Sequence, residues 1–288
     1  MSIKTMCRSI INGAAALIGP ENALKLEASL RFHKRIDLDS PHTLSDKICY
    51  LEFRKENPLS IICSDKYDVR AYIKSKGLGE ILVPLIGDVY SDAESIEFEK
   101  LPQKFVLKAT YGCSMNLICA DKNFLNIEAA KQTVGEWLTK GFNRDTLEPH
   151  YHKIKKRIIC EQFLENAESI LDYKIHCFNG TPKFILVCSE RDKGLKLNLY
   201  DLSWNPIHEI RGKYINTNEI AKPSRLKDMI KIAKTLSEDF DFVRVDLYQI
   251  KDTIYFGELT FTPDGGMLSY YTSQFDEKMG EQLMITEQ

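Results

Sequence analysis

The residues best suited to chemistry stand near the C-terminal end of the sequence. In Val243-Arg244-Val245-Asp246-Leu247 the two charged residues alternate with apolar ones, so both point to one face of a strand. Phe256-Gly257-Glu258-Leu259-Thr260-Phe261 repeats the pattern with Glu258 and Thr260. Pairing across the Lys251-Asp252 turn would bring Asp246 within a rung or two of Glu258. Two carboxylates and a hydroxyl converging with an arginine make a hard oxygen site suited to Mg²⁺ carrying phosphates. For the hairpin alone, an exposed face with an incidental ion pair is the plainer reading. Thr262-Pro263-Asp264-Gly265-Gly266 weakens it, because adjacent glycines let a backbone approach a ligand and offer N–H groups to an anion.

Three further strings have the right residue types. Lys108-Ala109-Thr110-Tyr111-Gly112-Cys113-Ser114-Met115-Asn116 sets a lysine at the end of an apolar strand, followed by a small, polar loop. A flap over phosphates needs that combination of point charge, backbone N–H groups and hydroxyls. With one glycine, the string also fits an ordinary turn beside a surface lysine. Glu161-Gln162-Phe163-Leu164 closes another apolar strand whose main chain could meet the edge of a purine, although most strand ends hold nothing. Ser64-Asp65-Lys66-Tyr67-Asp68-Val69-Arg70 reads as a capped basic helix start that could face phosphate, or simply water.

The elements that must position these strings follow from periodicity. The first 60 residues read as helical, with Pro20 in the first turn of a helix running toward Arg35 and a second helix after Pro41-His42-Thr43. A third starts at Ser64-Asp65 and ends near Gly77 and Gly79. From about residue 80 the pattern turns mixed. Ile81–Ile86, Phe105–Ala109, Leu117–Ala120 and Arg157–Leu164 read as strands, with an Asn126-capped helix over Ile127–Lys140. Asn179-Gly180 is a strong hairpin turn between Tyr173–Phe178 and Lys183–Cys188. Leu195–Tyr200 adds a strand, Ser224 caps a helix bearing Leu226, Met229, Ile230, Ala233 and Leu236 on one face, and the Phe242–Gln249/Thr253–Phe261 hairpin closes the series. The fold class is α+β.

Composition narrows the partners. With 288 residues, 43% hydrophobic, and a formal net charge of −2, the chain offers no electrostatic case for nucleic acid or an anionic membrane. Eight cysteines show no C-x-x-C pair, and several sit in apolar runs, which points to a reducing cytoplasm rather than a disulfide framework. The apolar run Ile10–Ile18 is interrupted by Asn12-Gly13 and too short to span a bilayer, so it reads as a helix packed on the body or lying at a partner surface, with an export signal as the lesser reading.

The order of these strings resembles the TupA-like group of the ATP-grasp superfamily. The likeness is carried by Pro41–Lys47, Ser64–Arg70, Leu101–Lys108, Leu171–Gly180, Phe242–Tyr248 and Phe256–Pro263, the last two being the most specific. It implies an ATP-grasp fold in which two α+β subdomains clamp ATP, behind an N-terminal helical and αβ region over 1–100. The flap subdomain would cover 101–165 and the metal-binding subdomain 166–288. Lys66 and Lys108 would hold phosphates, with Tyr111, Gly112, Ser114, Met115 and Asn116 as the flap loop. Glu161, Gln162, Phe163 and Leu164 would form the hinge along adenine, with Lys174 facing the nucleotide. Asp246 and Glu258 would hold Mg²⁺, and Arg244 would steady the transferred phosphoryl group. Thr260 stands where the superfamily commonly has asparagine, a poorer metal ligand replacing a better one.

The activity implied is an ATP-dependent carboxylate–amine ligase working through an acyl phosphate. Its substrates would be a small or sugar-linked carboxylate, as in capsule or surface-polysaccharide assembly, and an amine, with peripheral contact to that machinery. A nucleotide-sugar glycosyltransferase is the alternative, though the hairpin lacks a D-x-D string on a loop after a strand. A non-catalytic nucleotide-binding scaffold would not need Lys66, Lys108, Arg244, Asp246 and Glu258 together.

Overall fold

The computed structural model describes residues 17–140, 147–164, 171–189 and 195–286. The opening apolar run lies, up to residue 16, outside them.

Helix α1 (Pro20–Phe32) begins on Pro20 and ends in the left-handed residue His33. Helix α2 (Leu44–Arg54) is entered through a capping box, in which Thr43 Oγ1 accepts from Asp46 N and the Asp46 carboxylate accepts from Thr43 N. The helix expected to begin at Ser64 starts at Val69 instead, because another helix ends at Ser64. Asn57 and Pro58 start α3 (Pro58–Ser64), and α4 (Val69–Ser75) follows a turn in which Asp65 Oδ1 accepts from Tyr67 N and Asp68 N. The Asp65 carboxylate competes for those N–H groups and delays the second helix.

A three-stranded antiparallel sheet of order β2-β1-β3 comes next: β1 (Phe105–Ala109), β2 (Asn116–Cys119) and β3 (Ile158–Gln162). Helices α5 (Ile127–Lys140) and α6 (Pro149–His152) lie between β2 and β3 in the chain. Phe105, Leu107 and Ala109 alternate inward and pack with Val134, Ile158 and Cys160 as this sheet's own core. No regular strand forms over Ile81–Ile86. Gly79–Ile81 is a 3₁₀ turn, and the chain then meets β3 only at isolated bridges, Leu85 with Glu161 and Tyr90 with Ile158. Pro84 has no N–H to give a ladder, and its carbonyl accepts from Gln162 N instead.

The larger sheet is antiparallel with order β6-β5-β4-β7-β8, formed by β4 (Asp172–Phe178), β5 (Thr181–Ser189), β6 (Lys196–Tyr200), β7 (Phe242–Ile250) and β8 (Thr253–Thr260). Asn179 and Gly180 both take positive φ at the β4–β5 turn, the conformation that a two-residue hairpin requires. Val243, Val245 and Leu247 face α7 (Leu226–Ser237), joining Met229, Ala233 and Leu236 in one core. Phe178, Phe184 and Phe242 pack on the other side with Leu44 and Ile48 of α2 and Phe275 and Met279 of α8 (Ser273–Gln282). Ser224 does not cap α7. Its hydroxyl accepts from Gln249 Nε2, tying the helix start to β7, and Arg225 occupies the cap position.

Candidate active site

Alternation along three adjacent strands decides what the sheet presents. With Val243, Val245 and Leu247 committed to the α7 core, Arg244 and Asp246 project from the opposite face. Register sets Lys174 of β4 beside Asp246 and His176 beside Arg244. On the other flank it sets Glu258 beside Asp246 and Thr260 beside Arg244. The register shifts after Asp246, which leaves Gly257 as the extra residue on β8. A Cβ there would come within 3.0 Å of the Asp246 carbonyl and the Tyr248 ring.

Arg244 is the hub. Its Nε donates to Asp246 Oδ1 at 2.7 Å and its Nη2 to Asp246 Oδ2 at 2.7 Å, a two-bond fork. Nη2 also reaches Thr260 Oγ1 at 3.0 Å and Glu258 Oε1 at 3.3 Å, and the Thr260 hydroxyl donates to Glu258 Oε1 at 3.1 Å. Lys174 Nζ donates to Asp246 Oδ2 and lies 3.1 Å from Asp172 Oδ2. Arg244, Lys174, Asp172 and Asp246 are buried, whereas the Glu258 side chain keeps 35% of its surface exposed. Burial would raise the Asp246 carboxyl, but Arg244 and Lys174 outweigh it and hold it below the ordinary carboxylate range. Next to this cluster His176 stacks on Phe184 at 4.3 Å, and burial, seconded by Arg244, pushes its imidazole down to about 3.

The three-stranded sheet contributes a second charged group. Lys108 Nζ lies 2.6 Å from Glu161 Oε2, and Arg70 approaches the same carboxylate at 3.6 Å. Lys66 donates from Nζ to Gly112 O, and its backbone N–H donates to Thr110 O at 2.7 Å. Burial lowers the Lys66 ammonium, with Glu258 opposing and Lys108 adding to the shift. Lys66 therefore stands within electrostatic reach of both sheets: of Lys108 on β1 and of Glu258 on β8.

The remaining residues expected in a flap and hinge take varied positions. Tyr111 is fully buried and donates its hydroxyl to Trp137 O, so its ring belongs to the core of the three-stranded sheet. Ser114 is exposed in a left-handed conformation, Met115 accepts from Ala109 N and packs on that core, and Asn116 is the exposed register partner of Lys108. Gln162 is exposed, and Phe163 and Leu164 are half-buried, with Lys104 Nζ 5.8 Å from the Phe163 ring.

Sequence reasoning missed several neighbours. Asp172 shares a face with Lys174 by the same alternation, a signal present in Asp172-Tyr173-Lys174. Glu148 accepts from the Thr262 hydroxyl, and Arg157 Nη2 binds both Asp65 and Asp68. Those contacts join residues about 90 or more positions apart, which no local pattern announces.

The oxygen donors fit a magnesium ion carried by phosphates. A carboxylate offers about four lone-pair sites; on Asp246 three are taken by Arg244 and Lys174, while Glu258 remains accessible. Among the described residues no three His, Cys, Asp or Glu side chains gather as a cage. Mg²⁺ commonly needs none, being held by one or two carboxylates together with substrate phosphates.

A family described as TupA-like ATP-grasp matches residues 46–284. Among solved structures, D-alanine–D-alanine ligase from Bacillus anthracis, complexed with ATP, aligns over 76% of this chain and 61% of its own, at 16% identity and a TM-score of 0.47. An L-amino acid ligase from Bacillus licheniformis aligns over 78% of this chain and 50% of its own, at 17% identity and a TM-score of 0.47. The chain thus spans less than two thirds of either. No curated protein matches it.

Proposed function

Because the chain belongs to the TupA-like ATP-grasp family, we propose that it is a Mg-ATP-dependent carboxylate–amine ligase. One observation supports this most: Arg244 contacts Asp246, Glu258 and Thr260, Lys174 contacts Asp246, and Lys66 feels the charges of both Glu258 and Lys108. Binding of a triphosphate needs that density of cations, and binding of its metal needs the carboxylates.

Bound Mg-ATP supplies the phosphoryl group that activates the carboxylate, which becomes an acyl phosphate as ADP leaves; the amine then attacks the carbonyl and phosphate departs. The residues position and neutralise. Glu258 and Asp246 would hold the metal, with the Thr260 hydroxyl orienting Glu258. Lys66, now on Gly112 O, and Lys108, now on Glu161, exchange those partners for phosphate oxygens. Arg244 and Lys174, fixed by Asp246, keep positive charge where the phosphoryl group moves. The loop at Gly112, Ser114, Met115 and Asn116 excludes water that would hydrolyse the activated acid. Glu161, Gln162, Phe163 and Leu164 line adenine.

We extend the reading to a sugar-acid carboxylate in capsule or surface-polymer assembly, by analogy with the teichuronopeptide synthesis after which the group is named. A cytoplasmic setting, at the periphery of that machinery, accords with seven described cysteines that are all free and with the absence, among the described residues, of a helix long and apolar enough to cross a membrane. The test is ADP release from Mg-ATP across a panel of acid–amine pairs, with nucleotide sugars as the competing class. ADP release needing both an acid and an amine supports the ligase. A response confined to nucleotide sugars would replace it with glycosyl transfer.

A further inference from the structure

Two cores meet at the turn 65–68. Cys63 of α3 and Val69, Tyr72 and Ile73 of α4 pack into the core that the larger sheet shares with α7, which anchors both ends of the turn there. Lys66 nonetheless makes its bonds to the loop after β1. Its N–H donates to Thr110 O and its Nζ to Gly112 O, and Ala109 and Tyr111 on that stretch are buried in the core of the three-stranded sheet. Arg157, the residue before β3, reaches back the opposite way. Its Nη2 donates to Asp65 Oδ2 at 2.9 Å and to Asp68 Oδ2 at 2.6 Å, and its guanidinium lies 5.1 Å from the centre of the Tyr67 ring. One side chain therefore touches every residue of the turn except Lys66.

These contacts close a ring. Arg157 O accepts from Thr110 N at 2.9 Å, Thr110 O accepts from Lys66 N at 2.7 Å, and the Asp65 carboxylate beside Lys66 returns to Arg157. The same carboxylate shapes the turn, its Oδ1 accepting from Tyr67 N and Asp68 N. Asp65 keeps 2% of its side-chain surface exposed and Arg157 15%, so water competes little for the bond between them. Arg157 Nε is buried without a partner, whereas Arg244 uses Nε and Nη2 together on Asp246. Arg157 thus forgoes the two-bond fork and spans two carboxylates with one nitrogen.

We propose that Arg157 is a positioning residue for ATP: it holds the Lys66 turn against the loop at Thr110–Gly112, so that the ammonium stands ready for a phosphate. The inference rests on the reading above for the phosphate contact of Lys66, and adds the group that places it. A lysine on a turn needs such help. Its ammonium is a point charge on a flexible stem, with no fork to fix its own direction. Lys108 is placed by a strand bonded on both edges, while Lys66 has no ladder and depends on the ring.

The test is a double-mutant cycle on the Mg-ATP dissociation constant of the full-length protein, measured by calorimetric titration below the melting temperature of every variant. Lys66→Ala should weaken binding about ten- to hundredfold, the usual worth of a hydrogen bond to a charged group. Arg157→Gln should weaken it about tenfold, and Arg157→Lys, which keeps a cation near Asp65, should recover about half of that loss or more. In the Lys66→Ala background, Arg157→Gln should add less than about a twofold loss, because the group it places is already gone. The same loss in both backgrounds would mean that Arg157 acts on the fold and not through Lys66; it overturns the inference and leaves Lys66 in the site. Full affinity in Arg157→Gln overturns it as well. Full affinity in Lys66→Ala removes the lysine from the phosphates, and the inference falls with that reading. If Arg157→Gln does not fold, Asp68→Asn takes its place in the cycle, since the Asp68 side chain is 45% exposed. A loss of about threefold that vanishes without Lys66 is then expected. The ligase chemistry is read separately, by ADP release.

Discussion

Lys174 of β4 and Asp246 of β7 are register partners on the two central strands of the larger sheet, and the lysine donates to a carboxylate that Arg244 already grips by both oxygens. The pair is buried, so desolvation of each charge is offset only while the other is present. Lys174→Met should therefore cost about 3–5 kcal/mol, the usual result of breaking a buried pair from one side. Urea unfolding measures it, and a loss under about 1 kcal/mol would mean that Arg244 alone suffices for Asp246.

Lys108 is a different case, because its pair with Glu161 is partly open to water. Lys108→Ala should lower unliganded stability by about 1 kcal/mol or less. The same substitution should abolish the rise in melting temperature that Mg-ATP produces by binding the native state. A normal ATP-induced shift in the variant would remove Lys108 from the nucleotide site.

Thr260 both accepts from Arg244 and donates to Glu258. Thr260→Val keeps the shape but leaves Arg244 one acceptor short, a loss of about 1–3 kcal/mol for the unsatisfied group. Thr260→Asn restores an acceptor and a donor and should retain more ADP release than the valine variant. The reverse order of activities would show that size, not hydrogen bonding, governs this position.

His176 makes stability depend on pH. Its folded value of about 3 lies below the ordinary 6.5, so on acidification the unfolded chain takes up a proton that the folded protein refuses. Stability is fully present above pH 6.5 and declines between 6.5 and 3, with a slope approaching 1.4 kcal/mol per pH unit. The urea midpoint should drop from pH 7 to pH 4.5, a range in which most carboxylates stay ionised. In His176→Gln that drop should largely vanish, and an unchanged slope would exclude His176 as its source.

Gly280 tests packing rather than charge. A Cβ there would lie 2.1 Å from His42 O and 2.6 Å from the Thr43 carbonyl carbon, where α8 crosses the start of α2. Backbone atoms cannot step aside as a side-chain tip can, so Gly280→Ala should lose at least about 3 kcal/mol despite the better helix propensity of alanine. A stability gain would mean that the two helices separate readily.

Much of this was legible before any coordinates. Arg244, Asp246, Glu258 and Thr260 were readable because strand alternation is strictly local, and Asn179-Gly180 and Pro41-His42-Thr43 announced a turn and a helix start through their own chemistry. What escaped was set by interruption or distance. The Asp65 turn delays to Val69 a helix expected from Ser64, and Pro84 spoils a strand that Ile81–Ile86 otherwise spells. The approach of α1 to Glu258 depends on how helices and sheet pack, which the periodicity of neither contains.

The charged hub sits on β4 and β7, each hydrogen-bonded along both edges, while the loop after β1, the proposed flap, is held by contacts such as that between Lys66 and Gly112 O. Amide protons of Arg244 and Asp246 should therefore exchange with solvent only when the whole sheet comes apart, and those around Gly112 through small local openings. Under the proposed function, substrates would enter and leave by loosening that loop alone, and the groups proposed to act on them need never be disassembled between turnovers.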